Sequence, residues 1–322
     1  MKRFVLIGAG GYIAPRHMKA IKETGNTLVA ALDPNDSVGM IDSYFPDSAF
    51  FTEFERFDRY VSKLKREGIP TDYVSVCSPN YLHDAHIRFG LRNGADVICE
   101  KPLVLNPWNV DGLLDIEKET GRKVYTILQL RLHPALLELK RQVQAAGPGK
   151  IFDVNLTYIT SRGKWYFASW KGDKEKSGGI ATNIGIHFFD MLHWIFGEVH
   201  ENLVYIQNHD RAAGFLRLEK ARVKWFLSIN YDNIPEQVKH NGTRTYRSIT
   251  VDGKEIEFSN GFTDLHTLSY QAILEGKGFE LCTASHAVKI AHTIRNADPL
   301  GLVGEHHPLA ALPLSPHPFE RE

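Results

Sequence analysis

Cysteine is scarce in this sequence of 322 residues. Its three cysteines, Cys77, Cys99 and Cys282, are too few for a disulfide framework. No two of them have the CxxC spacing of a metal-binding pair. Free thiols suit a reducing compartment, so we predict that the protein is cytoplasmic.

An excess of charge and a long apolar run are also missing. Lysine and arginine together number 38, aspartate and glutamate together also number 38, and the pI is about 7.3. A neutral chain has no electrostatic bias toward nucleic acid or an anionic membrane surface, so we predict neither partner. No apolar stretch approaches the roughly 20 residues that a membrane-spanning helix needs. The length allows two domains, and we expect a small-molecule substrate.

Two pairs of neighbouring histidines invite a metal interpretation. They are His83/His86 and His306/His307. Neither pair has a carboxylate or cysteine partner at a useful spacing, so the sequence predicts no metal site.

The first apolar run leads into a glycine-rich turn. Residues 4–7 predict a buried parallel strand, and the turn Gly-Ala-Gly-Gly-Tyr-Ile-Ala at 8–14 precedes helix-compatible sequence. Strand, glycine turn and helix together are the setting in which a dinucleotide binds. Gly8 permits the tight turn, Gly10 lets the backbone approach a pyrophosphate, and the helix N-terminus supplies N–H donors. Ile13 occupies the third glycine position, so the strict pattern is broken.

The second predicted strand ends in an acidic residue. Residues 28–32 are apolar and lead directly to Asp33. A carboxylate at this point can accept a hydrogen bond from a ribose 2′-OH and repel a 2′-phosphate. We therefore predict a dinucleotide-binding domain that prefers NAD to NADP.

The pattern of strands and helices changes along the chain. Up to residue 128, strand and helix patterns alternate, which predicts an α/β fold with a doubly wound parallel sheet. From about residue 150, strand-like segments alternate polar and apolar residues, as in an antiparallel sheet with one covered face. We predict two domains, 1–128 and 129–322, the second of α+β class. Helices predicted over 265–275 and 284–296 are expected to pack back on the first domain.

A lysine follows the strand predicted over residues 95–99. In the run Cys-Glu-Lys-Pro at 99–102, Lys101 stands at the carboxyl end of a parallel strand, where such sheets bind ligands. Pro102 fixes the backbone and favours a bend, with a cis bond as one option. This arrangement places one amine beside a bound dinucleotide. The alternative is a surface lysine before a turn.

One segment of the second domain, residues 178–194, has helical apolar spacing. Asn183 and His187 are four residues apart in it, so the helix would present them on one face. The plainer interpretation is a helix packed on the sheet, with His187 a half-buried and hydrogen-bonded histidine.

Together these segments resemble the Gfo/Idh/MocA oxidoreductases. The resemblance rests on the glycine turn, Asp33, Ser-Pro-Asn at 78–80, Glu-Lys-Pro at 100–102 and the Asn183/His187 helix. Within the family, the stretches 11–21, 129–134 and 161–166 are most similar to the UDP-N-acetylglucosaminuronate 3-dehydrogenases of bacterial surface-polysaccharide synthesis. The resemblance implies an NAD-binding Rossmann domain. It also implies a second domain with an open-faced, mostly antiparallel sheet that binds substrate and commonly forms a tetramer.

Position by position, the resemblance implies roles for individual residues. Lys101 and His187 match the family's catalytic lysine and histidine, and Asn183 stands where many relatives have aspartate. Asn183 can orient His187 but adds no negative charge, so the identity of the base, Lys101 or His187, stays open. The residues expected to contact NAD are Gly8, Gly10, Gly11, Tyr12, Ile13, Asp33, Ser78, Asn80, His83, Glu100, Lys101, Gln129, Arg162 and Trp165. The residues expected to contact the substrate are Lys101, Arg131, Lys164, Tyr166, Asn183, His187 and Arg244.

The loop over residues 161–176 is basic. Its charged residues and those of a second loop are Arg162, Lys164, Lys171, Asp173, Lys174, Glu175, Lys176, Arg244 and Arg247. An anionic nucleotide sugar carries a diphosphate and a carboxylate, which such cations would match. A solvated charged loop is the alternative.

The predicted function is NAD-dependent oxidation of the C3 hydroxyl of UDP-N-acetyl-D-glucosaminuronate to the 3-keto sugar, for lipopolysaccharide or O-antigen sugar synthesis. A secondary alcohol carbon gives hydride to the nicotinamide, and its hydroxyl loses a proton to a base. Two alternatives stay open. They are an NAD-dependent dehydrogenase of an unactivated sugar, inositol or sugar acid, and a non-catalytic NAD(P)-binding sensor. We expect a homo-oligomer, and a tetramer by resemblance.

Overall fold

The chain forms two compact units. The computed structural model describes residues 1–240, 242–256, 258 and 264–320. One unit comprises Met1–Leu132 with Thr263–Ser285, and the other comprises His133–Phe262 with His286–Glu322. Both units are discontinuous in sequence, whereas the predicted domains are continuous. The continuous division at residue 128 stays a prediction.

Strands and helices alternate through residue 126 and then change order. The strands are β1 (Arg3–Ile7), β2 (Thr27–Leu32), β3 (Ala49–Phe51), β4 (Tyr73–Val76), β5 (Asp96–Cys99), β6 (Val124–Thr126), β7 (Phe152–Thr160), β8 (Val199–Gln207), β9 (Arg211–Leu218), β10 (Ala221–Ser228), β11 (Thr245–Val251) and β12 (Lys254–Glu255). The α-helices are α1 (Ala14–Glu23), α2 (Met40–Tyr44), α3 (Phe54–Arg66), α4 (His83–Arg92), α5 (Pro107–Thr120), α6 (Pro134–Ala145), α7 (Lys164–Ala168), α8 (Lys174–Ser177), α9 (Ile186–Phe196), α10 (Glu236–Lys239), α11 (Leu265–Leu274) and α12 (Leu281–Asn296). Within the described ranges, every helix is too short or too polar to cross a membrane.

The first unit contains a six-stranded sheet in the order β3-β2-β1-β4-β5-β6. All of its neighbouring strands are parallel. Its strands are short apolar runs; in β1, Phe4, Val5 and Leu6 are all fully buried. Such runs are typical of parallel strands with both faces covered. The prediction of a doubly wound parallel sheet is confirmed.

The strand register places the carboxyl ends of β1, β2, β4 and β5 side by side. Ile7 pairs with both Leu32 and Val76, and Val76 pairs with Cys99. Because parallel strands run in the same direction, the turns that follow β1, β2, β4 and β5 all emerge at one edge of the sheet. This edge carries the glycine turn, Asp33, the Ser-Pro-Asn segment and Lys101.

Two late helices were expected to pack back on the first domain. The first, predicted over 265–275, is α11, and it belongs to the first unit as expected. The second, predicted over 284–296, is α12, whose residues from His286 onward belong to the second unit. For most of α12 the expectation was therefore wrong. It contacts β8 of the second unit, for example through Asn202, which donates to the Ile290 carbonyl over 3.5 Å.

The second unit contains a sheet in the order β12-β11-β7-β10-β9-β8. β7 and β10 are parallel, and the other pairs are antiparallel, which confirms a mostly antiparallel sheet. Neighbouring residues of β10 point to opposite faces. Trp225 meets Phe189 of α9 edge to face at 5.4 Å, and Phe226 stacks with His307 at 5.6 Å. One face is thus covered by α9 and the other, in part, by the C-terminal segment.

The C-terminal segment is hydrogen-bonded to this sheet through a buried arginine. Arg211 is 1% exposed, and its Nε donates to Asp210 over 3.0 Å. Its Nη1 donates to the carbonyl of Leu312 over 2.9 Å. A buried guanidinium needs such partners, because desolvation of an unpaired charge is costly. The sheet face expected to be open is therefore covered in part by the chain itself.

Candidate active site

The turn after β1 has a backbone that only glycine fits. Gly8 has φ +93°, and a Cβ placed on it would lie 2.5 Å from the backbone of Cys77 and Ser78. Its N–H donates to the Leu32 carbonyl over 2.8 Å, which ties the turn to the end of β2. Among the described residues, the N–H groups of Tyr12 and Ile13, just before α1, have no acceptor and can donate to an anion such as a pyrophosphate. The residues present therefore fit a dinucleotide.

Asp33 is held against this turn. Its Oδ2 accepts a hydrogen bond from the Gly10 N–H over 2.9 Å, and its Oδ1 accepts one from the Asn35 N–H over 2.8 Å. The side chain is nearly buried, with 8% exposed. Each carboxylate oxygen keeps a further lone pair, so Asp33 can still accept from a ribose hydroxyl.

The position of Asp33 gives a prediction about cofactor choice. We expect NAD(H) to bind about tenfold or more tightly than NADP(H), a difference of about 1.4 kcal/mol, because the carboxylate repels a 2′-phosphate. Asp33→Asn should narrow this difference, since it keeps an acceptor for Gly10 and removes the charge. Asp36→Asn, an exposed acid in the same loop, is the matched control. Calorimetry with both nucleotides measures the ratio of the two affinities. Equal affinities of the wild-type protein for NAD(H) and NADP(H) would mean that Asp33 does not contact the ribose.

His83 links two of the loops at the sheet edge. Its imidazole is 1% exposed, with Nδ1 lying 2.7 Å from the Pro102 carbonyl and Nε2 lying 2.8 Å from the Ser78 carbonyl. It therefore joins the segment after β4 to the turn after β5. This is a positioning arrangement, and direct contact of His83 with a cofactor stays a prediction.

Glu100 stands at the centre of a buried polar cluster. Its Oε1 lies 3.0 Å from His17 Nε2 and 2.9 Å from His266 Nε2, and its Oε2 accepts from the Lys101 N–H over 3.1 Å. Burial opposes ionisation, but the hydrogen bonds from His17 and His266 outweigh it and hold the pKa of Glu100 well below its usual range. A carboxylate can only accept, so both Nε2 atoms carry protons. Its contact with NAD stays a prediction.

The cluster continues from His17 to the sheet. His17 Nδ1 lies 2.7 Å from the Tyr270 hydroxyl, which lies 2.7 Å from Ser75 Oγ. Burial lowers the pKa of His17, so its ring is neutral and Nδ1 accepts from Tyr270. We name Ser75, Tyr270, His17, Glu100 and His266 the buried relay. His17, His266 and Tyr270 were not among the predicted site residues, although His266 and Tyr270 lie four residues apart on one helical face.

Lys101 follows Glu100 at the end of β5. The Lys101–Pro102 peptide bond is cis, which was one of the options expected for this turn. The side chain is half-buried. Because Glu100 binds the Lys101 N–H, the buried relay fixes the backbone from which the amine projects.

Asn183 and His187 lie in different elements of the second unit. Asn183 belongs to a π-helical segment, Ala181–Gly185, and His187 to the first turn of α9. Helical backbone runs without a break from residue 179 to residue 196, as predicted, but its segment Ala181–Gly185 is π-helical and not α-helical. The Asn183 amide donates to the Tyr166 hydroxyl over 3.0 Å, and π-helical turns often occur at functional sites. Burial raises the pKa of Tyr166, which keeps this hydroxyl protonated.

Two arginines of the second unit meet at Ser161. The Arg244 Nη2 donates to Ser161 Oγ over 3.2 Å, and the Arg162 Nη1 donates to the Ser161 carbonyl over 3.4 Å. Neither guanidinium forms an ion pair with the residues that the structure describes. Two neighbouring cations that share no carboxylate suit an anionic ligand.

Other predicted site residues vary in exposure. Tyr12 is 90% exposed and Trp165 is 55% exposed, so both are available to a ligand. Gln129 and Arg131 lie in a short helical turn after β6, and the Arg131 guanidinium is 5.4 Å from the Phe279 ring centre. Their contacts with cofactor or substrate stay predictions.

Comparison with known proteins identifies the family. The model of an oxidoreductase family with an NAD-binding Rossmann fold matches residues 2–127, and that family's C-terminal alpha/beta domain matches residues 140–255. The chain belongs to the Gfo/Idh/MocA oxidoreductase family. The first unit therefore carries an NAD-binding Rossmann domain, and the predictions of an oxidoreductase and of NAD as its cofactor are confirmed.

Two solved structures resemble nearly the whole chain. The WlbA (WbpB) dehydrogenase of Thermus thermophilus, in complex with NAD and UDP-GlcNAcA, is 52% identical with a TM-score of 0.92, and the match covers 96% of this chain and 99% of that one. Its complex with NAD and alpha-ketoglutarate is 53% identical with a TM-score of 0.90, and the match covers 94% and 97%.

Curated relatives are more distant. The inositol 2-dehydrogenase of Rhizobium meliloti is 28% identical over 197 residues, which are 61% of this chain and 55% of that protein. The chain spans about half the length of the curated relatives that it matches.

Proposed function

We propose that the protein oxidises the C3 hydroxyl of UDP-N-acetyl-D-glucosaminuronate to the 3-keto sugar, with NAD as the hydride acceptor. The observation that carries this proposal is the likeness of nearly the whole chain to a Thermus thermophilus dehydrogenase that binds NAD and UDP-GlcNAcA. The paired arginines at Ser161 support an anionic substrate.

The first unit would hold the cofactor through the groups at its sheet edge. The glycine turn would take the pyrophosphate on its N–H groups, and Asp33 would accept from the adenosine ribose. Bound NAD⁺ supplies the hydride acceptor. Lys101 follows β5 at the same sheet edge, which would place its amine beside the cofactor.

Lys101 and His187 are the two proposed proton acceptors. Either removes the C3 hydroxyl proton as hydride leaves the carbon, so that the alcohol becomes a ketone. Asn183 is neutral and donates to Tyr166, so it orients the start of α9 without adding the negative charge that would stabilise an imidazolium. An aspartate at position 183 would supply that charge. Because asparagine does not, Lys101 is favoured over His187 as the base.

The substrate proposal is tested by changing the charge of the sugar and the charge of the protein. We expect kcat/KM to be higher for UDP-N-acetylglucosaminuronate than for UDP-N-acetylglucosamine. Arg162→Met should lower it for the acid about 10- to 150-fold, because a lost charge-assisted hydrogen bond is worth about 1.5–3 kcal/mol. Lys254→Met, at an exposed position of the same unit outside both basic loops, removes one positive charge and should change kcat/KM little. Product mass and NADH absorbance are the readouts.

The outcomes separate the alternatives. Turnover of free sugars or inositol, with both UDP-sugars inert, would establish the unactivated-sugar dehydrogenase. Binding of NAD(P) without turnover of any sugar would establish the sensor. The assay is run with and without 2-oxoglutarate, because the Thermus thermophilus relative was solved with NAD and alpha-ketoglutarate. Faster turnover with the keto acid would mean that it reoxidises the cofactor.

The setting of the reaction is part of the proposal. We propose that the protein acts in the cytoplasm as a homotetramer, on a sugar made for lipopolysaccharide or O-antigen. Activated uronates of this kind are charged and cannot cross a bilayer unaided, so an enzyme that uses them works where they are made.

A further inference from the structure

A second group of titratable side chains lies in the second unit. It consists of His193 in the last turns of α9, Glu198 just before β8, and His286 on α12. His193 Nε2 lies 3.2 Å from Glu198 Oε1, and His286 Nδ1 lies 3.7 Å from Glu198 Oε2. One ligand atom from each of the three side chains can be chosen so that all lie within 4.8 Å of one another.

The spacing of these atoms is close to that of a tetrahedral metal site. Zinc binds imidazole nitrogen and carboxylate oxygen at about 2.0–2.2 Å, which separates neighbouring ligand atoms by about 3.4 Å. The two imidazole rings are nearly parallel, with centres 4.1 Å apart and 20° between their planes. Each turns a nitrogen toward the same carboxylate, so a cation could bind between the two nitrogens and that carboxylate.

The surroundings offer space and further polar groups. A cavity of about 290 Å³ is lined by these three side chains together with His200, Asn202 and others. The Asn202 side-chain oxygen is buried and has no hydrogen-bond partner among the described residues. An unpaired buried acceptor is costly, and a metal-bound water is a donor that could satisfy it.

We propose that His193, Glu198 and His286 bind a divalent zinc ion, with water in the remaining position. The donor set selects the metal: imidazole suits zinc, whereas magnesium and calcium require oxygen ligands. The site would join α9, the start of β8 and α12 within the second unit. The predicted absence of a metal rested on His83/His86 and His306/His307, which are close together in the chain, whereas His193 and His286 are far apart in it.

The test uses the full chain, stripped of metal with a chelator and titrated with zinc chloride. We expect one zinc ion per chain by calorimetry and a rise in melting temperature. His286→Ala and Glu198→Gln should each weaken zinc binding about tenfold or more, since each removes one ligand. His240→Ala, at an exposed histidine of the same unit, should leave it unchanged. Magnesium chloride should not bind.

Several results would overturn the proposal. They are no zinc binding by the wild-type chain, equal zinc affinity in the wild-type and His286→Ala chains, and loss of binding in His240→Ala alone. Cobalt substitution adds a test that does not depend on folding of the variants, because a tetrahedral site gives an intense visible spectrum and an octahedral adventitious ion does not. None of these measurements uses a sugar substrate, so they stand apart from the proposed dehydrogenase activity.

Discussion

Lys101→Met should fold, bind NAD and lose nearly all turnover. Removal of a general acid or base typically costs about 10²–10⁴ in rate, and methionine keeps most of the length and volume of the lysine side chain without its charge. The backbone should hold its place, because the Glu100 carboxylate binds the Lys101 N–H and not its amine. Steady-state kinetics with UDP-N-acetylglucosaminuronate and calorimetry with NAD measure the two properties separately.

A matched control and a second variant sharpen this result. Lys118→Met removes an exposed lysine of the first unit and should leave kcat unchanged. His187→Asn should lower kcat about tenfold or more if His187 assists the same proton transfer. The double variant should then be little worse than the poorer single variant, because residues that act on one proton are not additive. A fully active Lys101→Met enzyme would contradict the proposed mechanism.

The sequence predicted the first unit well because its signals are local. Residues 4–7, the glycine turn and Asp33 lie within about thirty positions of one another in the printed sequence, and each feature has a physical reason that acts over a few residues. Gly8 illustrates this, since its positive φ and the close approach of Ser78 leave no room for a side chain.

Most structural features that the sequence did not predict depend on contacts between residues far apart in the chain. His17 lies 253 positions from Tyr270, and His193 lies 93 positions from His286 (286 − 193), so no short motif could reveal either group. The π-helical turn that carries Asn183 has the same apolar residues as an α-helix, and apolar spacing does not separate the two. The C-terminal segment is held on the sheet by the buried Arg211, which donates to the carbonyl of Leu312, 101 positions away.

The second large effect is a loss of stability expected from substitution of Glu100 in the buried relay. Glu100→Leu should lower the stability of the first unit by about 3 kcal/mol or more near neutral pH, because it leaves the buried donors of His17, His266 and the Lys101 backbone without an acceptor, at about 1–3 kcal/mol each. Glu100→Gln keeps one carbonyl acceptor and should lose less, about 1–3 kcal/mol. Hydrogen exchange at the amides of β1 and β5 reports on the first unit alone.

The dependence on pH identifies the ionised carboxylate as the source of this stability. The pKa of Glu100 is lowered in the folded chain, so its contribution is present above the unfolded value of about 4.3 and is lost as pH falls toward the folded value. The protection of wild-type amides against hydrogen exchange should therefore approach that of the Glu100→Leu chain only below about pH 4.3. Burial also lowers the pKa of His17, so wild-type stability should begin to fall already below about pH 6.5, where the unfolded histidine gains a proton. Equal exchange rates for the wild-type and Glu100→Leu chains near neutral pH would mean that the carboxylate contributes no net stability and that His17 and His266 are held by packing alone.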